Sequence, residues 1–340
     1  MPDAYSSVPL ALETLSIHSD KSSYSPRHAR RQSAGYPAAP FSRRASLSED
    51  DMPAAARRRD GRGGGIASPA RLAAYKKLGR MPEHSEVYQA GRKLVLKTGP
   101  DVTPQEAGTL RYLYEKTSVP VPEVLDFGID PETGHYYILM EEVDGEPLDL
   151  VWDLLDDETK AKVVAQIRAI FLDLRSINDP EICGFVPETD PSGRPIPGRY
   201  ARSGVTDNFF ARPQGPFDSE GGLLHALAAH LQLRGGPASC WLDRVVLPLL
   251  FSMPPHPPLM VLTHGELNAK NILVRRDGTV AALLDWSQSG FYPVYWEFVK
   301  AFFGDVESSV LVRDNVVPHV LDRRYDAELA VMLLAKDIIW

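Results

Sequence analysis

Polar residues in the C-terminal half of the chain have the types and the spacing that a phosphoryl transfer requires. His264 opens the run HGEL, Glu266 is its third residue, Asn271 follows five residues later, and an apolar run ends at Asp285. A carboxylate can position an attacking hydroxyl, while carboxylate and amide oxygens suit a Mg²⁺ ion that neutralises phosphate charge. We therefore expect a metal-assisted reaction on a phosphate, with His264 orienting the loop.

A predicted hairpin brings these groups together. The dipeptide Asp277-Gly278 lies between two strand-like runs, which is typical of a two-residue β-turn. Counting outwards from that turn pairs Asn271 with Leu284, to within one position. Asn271 then lies beside Asp285 at the open end of the hairpin, and Glu266 lies in the loop near the same end.

These motifs resemble the two site loops of aminoglycoside and choline-type phosphotransferases, which read His-Gly-Asp-Leu-x-x-x-Asn and an apolar strand ending in Asp-Trp. The resemblance extends over about residues 85–305, and Phe291-Tyr292-Pro293 with Tyr295-Trp296-Glu297 is similar to the fungal members. It implies an α+β, two-lobed protein-kinase-like fold: a small antiparallel sheet with one helix, then a larger, mainly helical lobe. It also implies ATP and Mg²⁺ as cofactors and the hydroxyl of a small molecule as acceptor.

The resemblance assigns roles in the second lobe. It implies a catalytic set of Glu266, His264, Asn271 and Asp285, in which Asn271 and Asp285 are also the metal ligands. Glu266 would be the base or the orienting carboxylate.

In the first lobe the resemblance implies a nucleotide site. Lys97 would contact the phosphates, and Glu106 would pair with that lysine. The linker between the lobes, Glu141 to Val143, would bind adenine through its backbone. Glu106 also has a structural explanation, because Thr103 and Glu106 form the pattern of a helix capping box.

One position departs from the family pattern, which has aspartate where this chain has Glu266. Catalysis of this kind depends on positioning, and a displacement of about 1 Å can lower the rate by ~10²-fold. Two interpretations therefore stay open: a small-molecule phosphotransferase, or a pseudokinase-type module that binds nucleotide with little or no transfer. A protein kinase is less favoured, because no Asp-Phe-Gly sequence and no activation-loop pattern occur near Asp285.

The elements that position these residues follow from apolar patterning. In the first lobe we expect a helix over Leu72–Leu78, a helix after Thr103 and four strands: Val87–Ala90, Lys93–Thr98, Val124–Phe127 and His135–Glu141. In the second lobe we expect an irregular connection over residues 178–221 and four helices: one capped by Asp157, then Leu223–Leu233, Trp241–Leu250 and Asp326–Ile339.

Composition sets the outer limits. The 340 residues are 44% hydrophobic and 24% charged, which is ordinary for a globular protein. Residues 1–66 hold ten Lys or Arg and seven Asp or Glu, a net charge of +3, so the remainder carries −11 of the total −8. An acidic folded part disfavours a nucleic-acid partner, and no apolar run is long enough for a membrane span. Two distant cysteines favour a reducing, cytoplasmic location.

The predicted domains are a disordered Ser/Pro/Arg-rich tail (1–66), a nucleotide-binding lobe (67–143) and a catalytic and substrate lobe (144–340). Paired arginines precede Ser33 and Ser46, which makes these two serines candidate phosphorylation sites. The acceptor is not specified by the sequence. Candidates to line its pocket come from the stretch 178–221: Arg194, Arg199, Arg202 and Asp207.

Overall fold

The computed structural model describes residues 65–78, 85–191, 195–235, 240–304, 309–321 and 323–339. The candidate phosphorylation sites Ser33 and Ser46 and the candidate pocket residue Arg194 lie outside these residues. So does the predicted tail, except for its last two positions. The second of these, Ile66, is buried against the first sheet, so the ordered structure begins before residue 67.

The first lobe is built on an antiparallel five-stranded sheet in the order β1-β2-β3-β5-β4. Its strands are β1 (Lys76–Lys77), β2 (Glu86–Gly91), β3 (Leu94–Gly99), β4 (Val124–Ile129) and β5 (Tyr136–Glu141). Leu94 and Leu96 alternate along β3, and both are fully buried, as the period of two in a strand requires. The four predicted strands are confirmed, with ends that differ by one or two residues.

The helix predicted over Leu72–Leu78 is wrong. Only a short helix, α1 (Pro69–Leu72), forms, and the chain then turns into β1, where Lys76 pairs with Gln89 of β2. The unpaired edge of β2 offers backbone hydrogen bonds to this segment, and that gain outweighs the helix propensity of so short a run.

Helix α2 (Pro104–Lys116) crosses the first lobe beside the sheet. Its N-cap is the one predicted: the Thr103 hydroxyl oxygen accepts a hydrogen bond of 3.3 Å from the N–H of Glu106. The reciprocal half of the capping box is missing, because the carboxylate of Glu106 turns to Lys97 instead. The helix buries Leu110 and Leu113 in the core.

The second lobe is mainly helical, as predicted. Its helices are α3 (Leu148–Val151), α4 (Asp157–Ser176), α5 (Glu220–Gly235), α6 (Leu247–Phe251), α7 (Trp296–Lys300), α8 (Val310–Arg313), α9 (Val317–Val320) and α10 (Asp326–Ile339). The cap of α4 is Asp156, whose Oδ1 accepts from the N–H of Thr159 at 2.7 Å, and not Asp157. A π-helical turn (Leu242–Val246) precedes α6. None of the described helices is long and apolar enough to cross a membrane.

The stretch 178–221 is less irregular than predicted. It contains β7 (Asn178–Asp179) and a hairpin of β8 (Gly184–Thr189) and β9 (Pro195–Ser203). The hairpin has few apolar residues, because its strands form a sheet of only two and cover helix α2 on one side. The prolines in β8 and β9 argued against strands in the sequence, but an edge strand tolerates proline.

Two small sheets carry the site. The strand β10 (Met260–Thr263) pairs with β13 (Gly290–Tyr292) and β7, while β11 (Ile272–Val274) pairs with β12 (Val280–Leu283) and β6 (Glu146–Pro147). The ends of these strands and the loops between them hold most of the predicted catalytic residues. Trp286 and Trp296 follow β12 and β13 in the chain and are fully buried in the hydrophobic core.

Candidate active site

Lys97 lies at the centre of a buried ion-pair cluster. Its Nζ is 2.7 Å from Oε1 of Glu106 and 3.0 Å from Oδ1 of Asp285, and its side chain is only 7% exposed. Burial works against the charge of Lys97, but the two carboxylates outweigh it and raise the pKa of Lys97. The cluster thus joins β3 and α2 of the first lobe to the second lobe.

Asp285 has an uncommon backbone conformation, with φ of 59°. This left-handed region is easier for aspartate than for most other side chains. Burial would raise the pKa of Asp285, but Lys97 and the donating hydroxyl of Ser287 lower it to about 2. Both of these donors bond Oδ1, and within the described chain no hydrogen bond reaches Oδ2. A charged carboxylate with one unused oxygen is suited to a cation.

Asn271 lies next to Asp285 because of the pairing of β11 with β12. The N–H of Leu284 donates to the carbonyl of Asn271 at 2.8 Å, so the predicted register at the open end of the hairpin is confirmed. The Asn271 side chain donates through Nδ2 to the carbonyl of Glu266 at 3.1 Å, which fixes the direction of the amide. No described residue bonds its Oδ1.

The turn of this hairpin is longer than predicted. The N–H of Arg275 donates to the carbonyl of Thr279, and the register shifts between Leu273 and Val274. The cause is Asp277, whose Oδ1 accepts from the N–H of Thr279 at 2.9 Å and so closes a side-chain turn inside the loop.

The side-chain oxygens of Asn271 and Asp285 suit a divalent cation such as Mg²⁺. This ion takes few protein oxygens and keeps water or phosphate as its other ligands. Asn271 and Asp285 each offer an oxygen that the described residues leave unused. A larger ligand set is missing there, because the described residues contain no group of three or more His, Cys, Asp or Glu side chains suited to a metal.

His264 is a cross-link and not a reacting group in this arrangement. Its Nδ1 accepts from the N–H of Glu266 at 3.1 Å, so Nε2 must carry the hydrogen and donate to the carbonyl of Leu284 at 2.9 Å. The imidazole therefore ties the loop that bears Glu266 to the residue that precedes Asp285. This geometry agrees with the orienting role predicted from the sequence.

Glu297 is a residue of the site that the sequence did not single out as functional. Its carboxylate accepts from the N–H of His264 at 2.6 Å and from the N–H of Gly265 at 3.3 Å, and the residue is almost completely buried. Burial raises the pKa of Glu297. Gly265 needs its glycine, because φ is 82° and a Cβ would lie 2.5 Å from the carbonyl oxygen of Gln288.

Glu266 itself is paired. Its Oε1 lies 2.8 Å from Nζ of Lys270, one turn further along, and this lysine is half exposed. The turn Ala269–Asn271 brings the two together, because the side chain of Asn268 caps it by accepting from the N–H of Lys270. Lys270 thus holds the longer glutamate side chain in one direction.

A cavity of about 260 Å³ opens beside Glu266. Besides Glu266 and Lys270, its polar lining consists of Asp149, Asn208, Asn268, Gln288, Lys300 and Ser309. The cavity has room for part of a small molecule, and the Glu266 carboxylate lies in its wall.

Lys300 and Asp207 form a buried ion pair behind this cavity. Nζ of Lys300 is 2.9 Å from Oδ1 of Asp207 and also donates to the side-chain oxygens of Asn208 and Gln288. Trp296 donates to the other oxygen of Asp207. Of the pocket residues predicted from 178–221, Asp207 alone among the described ones is near the cavity, and it acts through Lys300.

The two predicted pocket arginines that the structure describes lie elsewhere. Arg199 and Arg202 are on β9, where they pair with Glu188 and with Asp179. Both arginine side chains are largely exposed, and neither lines the cavity. Their role in the structure is to link strands and loops at the surface.

The linker between the lobes has one backbone donor to offer. The N–H of Glu141 donates to the carbonyl of Glu123, and the N–H of Glu142 donates to the carbonyl of Lys93. Within the described part of the chain, no backbone bond uses the N–H of Val143. Of the three linker residues predicted to bind adenine, Val143 is thus the one whose amide is available.

Comparison with known proteins identifies the family. The profile of the phosphotransferase enzyme family matches residues 83–331, which is most of the chain, so this chain belongs to the phosphotransferase enzyme family. The family predicted from the sequence is confirmed, and with it the class of a kinase-type transferase. A search of curated proteins finds no match.

Two solved structures share the fold. The aminoglycoside phosphotransferase APH(2″)-IIIa, solved with GDP and kanamycin, is 14% identical, with a TM-score of 0.50 over 78% of this chain and 84% of its own. A candidate aminoglycoside phosphotransferase from Ralstonia eutropha is 13% identical, with a TM-score of 0.51 over 77% of this chain and 79% of its own. At these identities the likeness concerns the fold, and the predicted two-lobed α+β architecture is confirmed.

Proposed function

We propose that this protein transfers the γ-phosphate of ATP, with Mg²⁺, to a hydroxyl group of a small molecule. The observation that carries the proposal is the cluster in which Lys97 pairs with Glu106 at 2.7 Å and with Asp285 at 3.0 Å, next to the amide of Asn271. A phosphotransferase needs a cation for the phosphates, a carboxylate and an amide for the metal, and a site for the acceptor. In support, the first two lie together around Asp285, and the cavity opens beside Glu266, whose carbonyl accepts from the amide of Asn271.

The contacts support the following roles. Lys97 binds the nucleotide phosphates, and Glu106 keeps that lysine in place. Asn271 and Asp285 hold Mg²⁺, which supplies charge neutralisation on the phosphates when bound. Glu266 orients the acceptor hydroxyl in the cavity and accepts its proton, while His264 fixes the loop. The backbone of the linker at Glu141 to Val143 binds adenine, mainly through the Val143 amide.

The two lobes meet at this linker. We place the boundary after Val143, because β5 ends at Glu141 and the next strand, β6, already pairs with β11 of the second lobe. A nucleotide bound there would touch both lobes. We keep a reducing, cytoplasmic location as part of the proposal, since Cys183 and Cys240 are both free.

A thermal-shift experiment tests the nucleotide site. ATP and GTP are each added with and without Mg²⁺, and acceptor compounds follow on the best nucleotide. A stabilisation by ATP that requires Mg²⁺ is the expected result. No shift with either nucleotide would refute the proposal. Release of ADP that depends on an added hydroxyl compound then identifies the acceptor class.

A second function is favoured by one observation, the Glu266–Lys270 pair. It occupies one carboxylate oxygen of a residue that is already one methylene longer than the family's aspartate. A module that binds nucleotide without transfer would have this site. The variant Glu266→Asp separates the two functions, because it would raise turnover only if the natural residue prevents it.

A further inference from the structure

Helix α2 is attached to the segment that follows Asp285 by two side chains on one face. Gln105 donates through Nε2 to the carbonyl of Ser289, and the hydroxyl oxygen of Ser289, which donates to the carbonyl of Trp286, lies 2.9 Å from the Thr109 hydroxyl and accepts from it. Gln105 also accepts from the hydroxyl of Thr206 at 3.2 Å. These contacts are buried, with Gln105 at 3% exposure. They tie the helix that carries Glu106 to the segment between Asp285 and β13.

The β8–β9 hairpin packs against the same face of α2. At Gly108, in the middle of α2, a Cβ would lie 2.7 Å from the carbonyl oxygen of Phe185. At Gly184, the first residue of β8, a Cβ would lie 2.5 Å from Cδ of Gln105. Gly108 therefore allows a close approach of the hairpin backbone to the helix, whereas a side chain at Gly184 would displace the amide of Gln105.

Aromatic rings extend the contact to β13. The ring of Phe185 stacks on Tyr112 of α2 with centroids 4.7 Å apart and meets the ring of Phe291 edge-on at 5.1 Å. The N–H of Phe291 donates to the carbonyl of Cys183 at 2.8 Å. The start of β8 thus packs between α2 and β13.

We propose that this α2 clamp, formed by Gly184, Phe185, Gln105, Thr109 and Ser289, holds Glu106 against Lys97 before any nucleotide binds. A kinase-type site requires the lysine–glutamate pair, and the position of the glutamate helix is a common point of control. Here the helix is fixed along one face, that of Gln105, Gly108 and Thr109, by its own chain. The site is therefore assembled without a phosphorylated loop or a partner. The consequence for activity rests on the proposed function. The mechanical claim, that the clamp holds α2 in place without nucleotide, does not.

Hydrogen exchange of the wild-type protein tests the mechanical claim first. Amides of Glu106 to Leu113 are compared without nucleotide and with saturating Mg²⁺–ATP. The clamp predicts a change of less than about threefold, since the helix is already held. Protection that rises tenfold or more on binding would mean that the nucleotide, and not the clamp, orders the helix, and would overturn the proposal.

A pair of glycine variants tests the clamp directly. Gly108→Ala places a methyl group against the hairpin, whereas Gly221→Ala, in helix α5, meets only the Ser219 side chain at 3.8 Å. Both substitutions replace glycine with a better helix former, and Gly221, in the first turn of α5, gains less from it than Gly108 in the interior of α2. Gly108→Ala should speed exchange in α2 at least tenfold and weaken Mg²⁺–ATP at least tenfold, while adenosine affinity changes less than twofold. Gly221→Ala should match the wild type.

Each other outcome is decisive. If Gly108→Ala behaves like Gly221→Ala, the clamp does not position the helix. If it weakens adenosine and ATP equally, the hairpin supports the fold in general and the proposal is wrong. Should Gly108→Ala fail to fold, Gln105→Met, which keeps the side-chain length and removes the amide bonds, takes its place. If even the wild type binds no nucleotide, the proposed function fails, while exchange in α2 still decides on the clamp.

Discussion

Shortening Glu266 by one methylene distinguishes an enzyme from a nucleotide-binding module. In Glu266→Asp the carboxylate recedes by about 1.5 Å, the length of one carbon–carbon bond. Its 2.8 Å contact with Lys270 is then broken. If Lys270 and the loop have adapted to glutamate, the shorter side chain no longer reaches the acceptor hydroxyl. A displacement of this size lowers the rate by ~10²-fold, or about 2.7 kcal/mol in activation free energy.

Stability should not change in this variant, which makes the rate interpretable. Lys270 is 49% exposed, and exposed ion pairs contribute only about 0–1 kcal/mol. The assay is steady-state ADP release with the best acceptor, accompanied by thermal unfolding. We expect kcat to fall ~10²-fold with Tm within about 2 °C of the wild type.

Two lysine variants provide the control. Lys270→Arg keeps a cation within reach of Glu266 and should retain most of the rate, whereas Lys270→Met should lose about tenfold, since the glutamate is then less well placed. The opposite result for Glu266→Asp, a gain of orders of magnitude over an almost silent parent, would refute the reasoning. The natural protein would then be a pseudokinase-type module.

Two further substitutions test the supports of the site, each by denaturant unfolding. Glu297→Ala leaves the buried N–H groups of His264 and Gly265 without acceptors and should cost about 3 kcal/mol, against less than about 0.5 kcal/mol for the exposed control Glu158→Ala. Lys300→Met leaves Asp207 as a buried, unpaired carboxylate and should cost about 3–5 kcal/mol, whereas Lys162→Met at the surface should cost under about 1 kcal/mol.

A small loss of stability in either variant would show that the substituted residue does not support the site as described. A loss below about 1 kcal/mol in Glu297→Ala would mean that water or a shifted loop satisfies the two N–H groups. Retained stability in Lys300→Met would mean that Asp207 is protonated or solvated in the folded protein.

The sequence predicted helices and hairpins whose form depends on residues close together in the chain. Helix α10 runs from Asp326 to Ile339 as expected, because its apolar period is regular over 14 residues. The predicted pairing of Asn271 with Leu284 is also observed, because the register shift between Leu273 and Val274 offsets the longer turn. The length of the turn was not predictable, because the side chain of Asp277 adds a bond that residue counting ignores.

Contacts between distant segments were not predictable in the same way. The β8–β9 hairpin has no alternating apolar pattern, and its contact with Gly108 depends on the tertiary fold. The ion pair between Asp207 and Lys300 joins residues 93 positions apart, and neither residue lies in a motif. Glu297 was visible only as part of a family-like aromatic run, and its bonds to the loop at His264 depend on where α7 packs.

The central claim is that Asn271 and Asp285 share a divalent cation with the nucleotide. Isothermal titration of ATP into the wild type and Asp285→Asn, each with Mg²⁺ and with chelator, measures it directly. The account predicts that Mg²⁺ strengthens ATP binding at least tenfold in the wild type and not in Asp285→Asn, while adenosine binds both proteins equally. An equal effect of Mg²⁺ on the two proteins would contradict it.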